Sequence, residues 1–99
     1  MMEIRIQSIH FDASEQLQDF IQKKVSKLEK FCDDVITAEV VLKIVKPESA
    51  ENKEVGIKIF VAGETLYASK FCNTFEQAVD DASAAMEKQL QKYKEKQQG

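Results

Sequence analysis

The spacing of apolar residues changes period along this 99-residue chain, and the order of the changes leaves few folds open. Residues from Met2 to Gln7 alternate, with Ile4 and Ile6 on one side and Glu3, Arg5 and Gln7 on the other, the repeat of a half-buried strand. From Ser14 the repeat becomes helical: Leu17, Phe20, Ile21, Val25, Leu28 and Phe31 form one stripe. Ser14 can cap the first amides, and Asp12 with Glu15 offers an alternative capping box. Cys32-Asp33-Asp34 breaks the pattern. Alternation returns from Val35 to Val45, where Ala38, Val40, Leu42 and Ile44 share a face. It continues from Glu54 to Ala62 with Val55, Ile57, Ile59 and Val61 inward, and from Thr65 to Ser69 with Leu66 and Ala68 inward. Lys46 to Lys53, polar and holding the only proline, is the one loop-like stretch, and Gly63-Glu64 suits a two-residue type II′ hairpin turn. Thr74-Phe75-Glu76-Gln77 reads as a capping box opening a second helix. Its buried stripe is Phe75, Ala78, Val79, Ala82, Met86, Leu90 and Tyr93.

The order is β-α-β-β-β-α, without repeat or internal boundary, so residues 1–99 read as one α+β domain. Each strand has one apolar face, which predicts both helices on one side of a four-stranded mixed sheet. If the first two strands are parallel, the helix between them is a right-handed crossover. A second helix returning from strand four on the same face then runs roughly parallel to the first. A hydrophobic content of 43%, with one Pro and three Gly, is enough for a single core. No apolar run approaches the roughly 18 residues of a membrane span. The N-terminus lacks the basic and apolar regions of a signal peptide. Cys32 and Cys72 form no CxxC pair and, with no export signal, are expected as reduced thiols in a cytoplasm.

Charge is segregated. Formal net charge is −3, yet Gln22 to Lys30 carries Lys23, Lys24, Lys27 and Lys30 against Glu29, a local +3. Glu87 to Gly99 carries Lys88, Lys92, Lys94 and Lys96 against Glu87 and Glu95, a local +2, which leaves −8 elsewhere. Cations near a helix C-terminus suit the macrodipole, and a solvated helix face accounts for either run taken singly. Parallel helices, however, bring both basic halves to one end, and a focused positive field captures polyanions. Lys27, Lys30, Lys88 and Lys92 all fall outside the apolar stripes. Lysine is a point charge that follows a phosphate backbone without reading bases.

Counting back from the Gly63-Glu64 turn sets Ala62 opposite Thr65, Val61 opposite Leu66 and Phe60 opposite Tyr67. That places an aromatic pair on the sheet face away from the helices, near Val41 and Lys58. Such a pair can stack bases. With no RNP-like motif beside it, the favoured reading is a cross-strand pair stabilising the ribbon by a few tenths to about 1 kcal/mol. Enzyme signals are missing: there is no P-loop, dinucleotide-binding or zinc-protease motif and no metal-ligand cluster, and His10 is the only histidine. No catalytic residue, metal, cofactor or small-molecule substrate is expected. Glu76, Asp80 and Asp81 suit the start of a helix, and both cysteines read as small, partly buried apolar residues.

Three segments, KLEKF (Lys27 to Phe31), LYAS (Leu66 to Ser69) and TFEQAVDDASAAMEKQLQKYKEK (Thr74 to Lys96), resemble the ribosome hibernation-promoting factor family. The family is also called ribosome-associated translation inhibitor, and formerly sigma-54 modulation protein. The most specific parts are Ala78-Val79-Asp80 and Glu87-Lys88-Gln89-Leu90 followed by Lys92. The resemblance spans nearly the whole chain. It implies a β-α-β-β-β-α domain similar to a double-stranded-RNA-binding domain. That domain would sit in the small-subunit channel where mRNA and the anticodon arms of A- and P-site tRNA lie. By position, Lys24, Lys27, Lys30, Lys88, Lys92 and Lys96 match places where the family carries Lys or Arg, while Lys23 and Lys94 come from the charge reading. The implied partner is the small ribosomal subunit, held through rRNA phosphates in competition with mRNA and tRNA and without a membrane. The implied role is a cytoplasmic, non-enzymatic stress factor that inhibits translation and promotes ribosome hibernation. Glu76 stands where the family usually has Tyr, and no basic residue follows the first strand in Gln7-Ser8-Ile9-His10. Ending at Gly99, the chain resembles the short form, without the C-terminal dimerisation domain of longer members. Two other readings stay open: a general structured-RNA-binding domain, and a protein–protein adaptor using the Phe60/Tyr67 face.

Overall fold

Strand β1 (Glu3–Ile9), helix α1 (Glu15–Ser26), a 3-10 segment (Lys27–Phe31), strands β2 (Val35–Ile44), β3 (Lys53–Val61) and β4 (Glu64–Cys72), and helix α2 (Phe75–Gln98) follow one another in the expected order. The computed structural model describes residues 3–9, 11–31, 35–45 and 51–98. Expectations for Met2, His10, Cys32 to Asp34 and residues 46–50 of the loop lie outside the described residues.

The sheet order is β1-β2-β3-β4. β1 and β2 are parallel, with Ile4 opposite Ala38 and Ile6 opposite Val40. β2–β3 and β3–β4 are antiparallel, aligning Val40 with Ile57 and Ile57 with Ala68. A parallel pair needs a crossover, and α1 supplies it. Both helices pack on the same sheet face. Leu17, Ile21, Val25 and Leu28 share one buried cluster with Val40, Leu42, Ile57, Ile59, Val79, Ala82, Met86 and Leu90. Burying each large aliphatic side chain in that cluster contributes roughly 1.5–3 kcal/mol. Phe20 departs from the expected stripe: it is only half-buried, and its ring lies under Lys24 Nζ, 5.7 Å from the centroid.

The local signals act in modified form. Ser14 caps α1, its Oγ accepting from the Leu17 amide at 3.1 Å. Thr74 Oγ1 accepts from the Gln77 amide at 3.2 Å, but the Gln77 side chain does not complete the box. It donates instead to Asp81 Oδ1 at 3.0 Å. The first helix also tightens where a continuous α-helix is expected, becoming 3-10 over Lys27–Phe31. In a 3-10 turn residues i and i+3 eclipse, so Lys27 aligns with Lys30 and Leu28 with Phe31.

The β3–β4 hairpin corrects the expected turn. Val61 pairs with Glu64, so Ala62 and Gly63 are the central residues rather than Gly63 and Glu64. Gly63 carries the positive φ, 88°, at the second central position, whereas a type II′ turn puts it at the first. The register therefore moves by two: Phe60 faces Thr65, and Tyr67 faces Lys58. Both aromatics stay on the open sheet face but are not directly paired. Tyr67 lies across Gly56, so a Cβ added there would stand 2.8 Å from the tyrosine Oη.

Candidate nucleic-acid interface

The two helices run side by side in the same sense. Lys24 of α1 meets Asp80 of α2, its Nζ 2.9 Å from Oδ1. Further along both helical segments, Lys27, Leu28, Lys30 and Phe31 line a groove of about 340 Å³ with Ser83, Ala84 and Glu87. The 3-10 turn shapes this groove. Leu28, 2% exposed, forms the apolar anchor, while the eclipsed Lys27 and Lys30 stay exposed beside it. Three lysines against Asp80 and Glu87 leave the groove at a formal +1.

The sequence-predicted lysines separate into groups. Lys24, Lys27 and Lys30 come together in the inter-helix groove, with Lys24 half-buried and engaged by Asp80 and Phe20. Lys92 and Lys96 border a second depression, of about 180 Å³, with Glu64, Leu66, Gln89 and Tyr93 at the β4 side of α2. Lys23, Lys88 and Lys94 are exposed and line neither hollow. Lys27, Lys30, Lys88 and Lys92 are all exposed, as their spacing outside the stripes implies. At 1.5 Å rise per residue, the α2 cations reach as far as Lys96, about 24 Å along the helix axis from Asp80.

Two hydrogen bonds fix the far half of α2. Gln89 Nε2 donates to the Tyr67 carbonyl at 2.7 Å, and the otherwise buried Tyr93 donates through Oη to the Ala62 carbonyl at 2.6 Å. The hairpin turn thus holds the lysine-rich end of the helix in place. Sequence reasoning missed the partnership of Lys24 with Asp80, reading Asp80 only as an acid suited to a helix start. It also passed over Ser83, which lines the same groove. Nothing in a one-dimensional pattern pairs residues 24 and 80, because the pairing depends on the offset between two helices.

On the opposite face, Ile9, Glu39, Val41, Lys43, Glu54, Gly56, Lys58 and Tyr67 surround a shallow depression of about 260 Å³. Its acids and lysines balance, unlike the groove between the helices. Lys58 Nζ lies 6.0 Å from the Phe60 ring centroid. Among the described residues there is no group of His, Cys, Asp and Glu able to hold a metal ion. No described helix is long and apolar enough to cross a membrane.

Residues 4–98 match the family described as Sigma 54 modulation protein / S30EA ribosomal protein. The chain is 25% identical over 97 residues to the ribosome hibernation promoting factor of Pseudomonas putida, covering 98% of this chain and 91% of that one. In fold it is similar to a ribosomal subunit interface protein from Coxiella burnetii, with a TM-score of 0.82, 23% identity, and 95% of this chain and 98% of that chain covered. It is also similar to the N-terminal domain of Protein Y from Thermus thermophilus, with a TM-score of 0.78, 19% identity, and 94% and 99% covered.

Proposed function

Since the chain belongs to the Sigma 54 modulation protein / S30EA ribosomal protein family, we propose that it binds the small ribosomal subunit in the mRNA/tRNA channel and there inhibits translation by steric occlusion. In this reading idle ribosomes are held inactive and intact in the cytoplasm. The observation that carries it is the cluster of lysines in the groove between the helices. Lys24, Lys27 and Lys30 line the helical groove of a chain whose net charge is −3, and Lys88, Lys92, Lys94 and Lys96 are exposed along the later half of α2. Lysine–phosphate contacts position a folded body on an RNA backbone without sequence readout. The rest of the chain, being acidic, disfavours indiscriminate adherence to nucleic acid. No covalent step is involved: the domain works by its volume and by where it is held.

Sedimentation of the chain with purified small subunits, beside a free hairpin RNA and a no-RNA control, tests the reading. The expected result is co-sedimentation with small subunits that is lost when mRNA and tRNA are loaded first. Equal retention by the hairpin would make the chain a general structured-RNA binder. Binding to neither would leave the adaptor reading.

A further inference from the structure

The groove between the 3-10 segment and α2 contains a polar group that the fold does not use. Ser83 stands one turn after Asp80 and one turn before Glu87, on the stripe of α2 that lines the groove. The residue is 9% exposed, and its Oγ is shielded from solvent without a hydrogen-bond partner. It does not bond back to the carbonyl one turn earlier, the usual outlet for a serine inside a helix. Buried hydroxyls are nearly always paired, so an unpaired one lining a cation-rimmed groove marks a missing partner that accepts a hydrogen bond. The charge of the groove says which: its formal +1 is neutralised by one phosphodiester monoanion. The ion pair between Lys24 and Asp80 crosses the same groove.

We propose that the groove is a pocket for a single backbone phosphate, which accepts a hydrogen bond from Ser83 Oγ and draws Lys24 away from Asp80. The proposal rests on the RNA-binding reading above and adds two residues to it. Lys27 and Lys30, aligned by the 3-10 turn, flank the phosphate at the rim. Asp80 is the built-in competitor. While it holds Lys24 the pocket is closed over the serine hydroxyl, and each binding event must exchange one anion for another at that lysine. Asp80 therefore lowers affinity for any phosphate backbone and favours sites where a phosphate seats deeply enough to reach Ser83.

The two residues leave different signatures in the salt dependence of binding to small subunits. Asp80→Asn frees Lys24 to carry its own counterions, so affinity should rise about 2- to 5-fold and the log–log salt slope should steepen by about one. Ser83→Ala removes a neutral donor, so affinity should fall about 3- to 10-fold with the slope unchanged. Loss of an unpaired buried hydroxyl should leave the melting temperature equal or higher, which keeps the variant folded. Wild-type affinity and slope in Ser83→Ala would make the serine a mere small filler between helices, and an unchanged slope in Asp80→Asn would remove the competitor. Either result overturns the pocket. The same isotherms on a free hairpin RNA separate this from the fate of the functional reading. If wild type binds only the hairpin and both signatures appear there, the pocket stands and the ribosome reading falls. If it binds neither RNA, both fall.

Discussion

Cys72 shows how a single contact alters chemistry. It is a free thiol, and its Sγ donates to Asp81 Oδ2 at 3.3 Å. Burial, then the hydrogen bond to Asp81 and the negative charges of Asp81 and Glu51, push its pKa above the ordinary thiol value, with Lys70 opposing. Only the thiolate attacks electrophiles. With Cys32 replaced by Ser so that one thiol is counted, iodoacetamide at about pH 8 should label Cys72 more slowly than a small free thiol, and Asp81→Asn should speed it. Equal rates in the two proteins would dismiss the contact. The linked stability has a definite sign. A raised folded pKa contributes below the ordinary thiol range and is lost as pH rises through the raised value. Phe60 gives a second test at this scale. It is half-buried beside Lys58, opposite Thr65 and on the face away from the helices. Phe60→Ala should lower stability by about 1–2 kcal/mol while leaving small-subunit binding nearly unchanged. A large loss of binding with folding intact would move the interface to the sheet.

At the scale of elements, the 3-10 segment joins core to site. Leu28 is 2% exposed within a run whose neighbours Lys27 and Lys30 face the groove. Leu28→Ala should cost roughly 2–5 kcal/mol in urea denaturation, and a cost near zero would contradict the packing. Strand and helix identities were legible because periods of two and 3.6 are distinct over six or more residues. The hairpin register was not. Sliding β4 past β3 by two residues keeps Leu66 and Ala68 inward, so apolar alternation cannot detect the slip, whereas a slip of one would reverse every face. The pairing of Val61 with Glu64 settles it. The tightening after Ser26 was hidden for a similar reason, since Leu28 and Phe31 at i, i+3 suit either helix type. Exposure of the lysines was readable from the stripes. The engagement of Lys24 by Asp80 was not, because the offset of α2 against α1 is set by the sheet and loops between them.

The whole molecule is elongated, 47 × 23 × 18 Å, and α2 accounts for roughly 36 Å of helix. Over the strands acids and bases nearly cancel, Glu3, Glu39, Glu54 and Glu64 against Arg5, Lys43, Lys53, Lys58 and Lys70, while eight of the fourteen lysines and arginines lie towards the end of the first helical segment and along the projecting half of α2. Such a distribution orients the domain in the field of a polyanion as well as attracting it, and the attraction falls with ionic strength. The acidic remainder repels RNA at longer range, so absolute affinity mixes two opposed effects while its derivative with salt counts contacts.

The most direct test of the account is therefore the salt slope of small-subunit binding, for the wild-type chain and for a variant with Lys27, Lys30, Lys88 and Lys92 replaced by Gln. With about five phosphates neutralised, the wild-type log–log slope should be on the order of −4 to −5. Affinity should then fall by roughly 10²- to 10³-fold between about 50 and 200 mM salt. All four side chains are exposed, so the variant should fold as the wild type does. Its slope should be shallower by about three to four units, because each lost contact removes nearly one released counterion. A slope equal to that of the wild type would mean that these lysines only solvate two helices and that RNA is not held there.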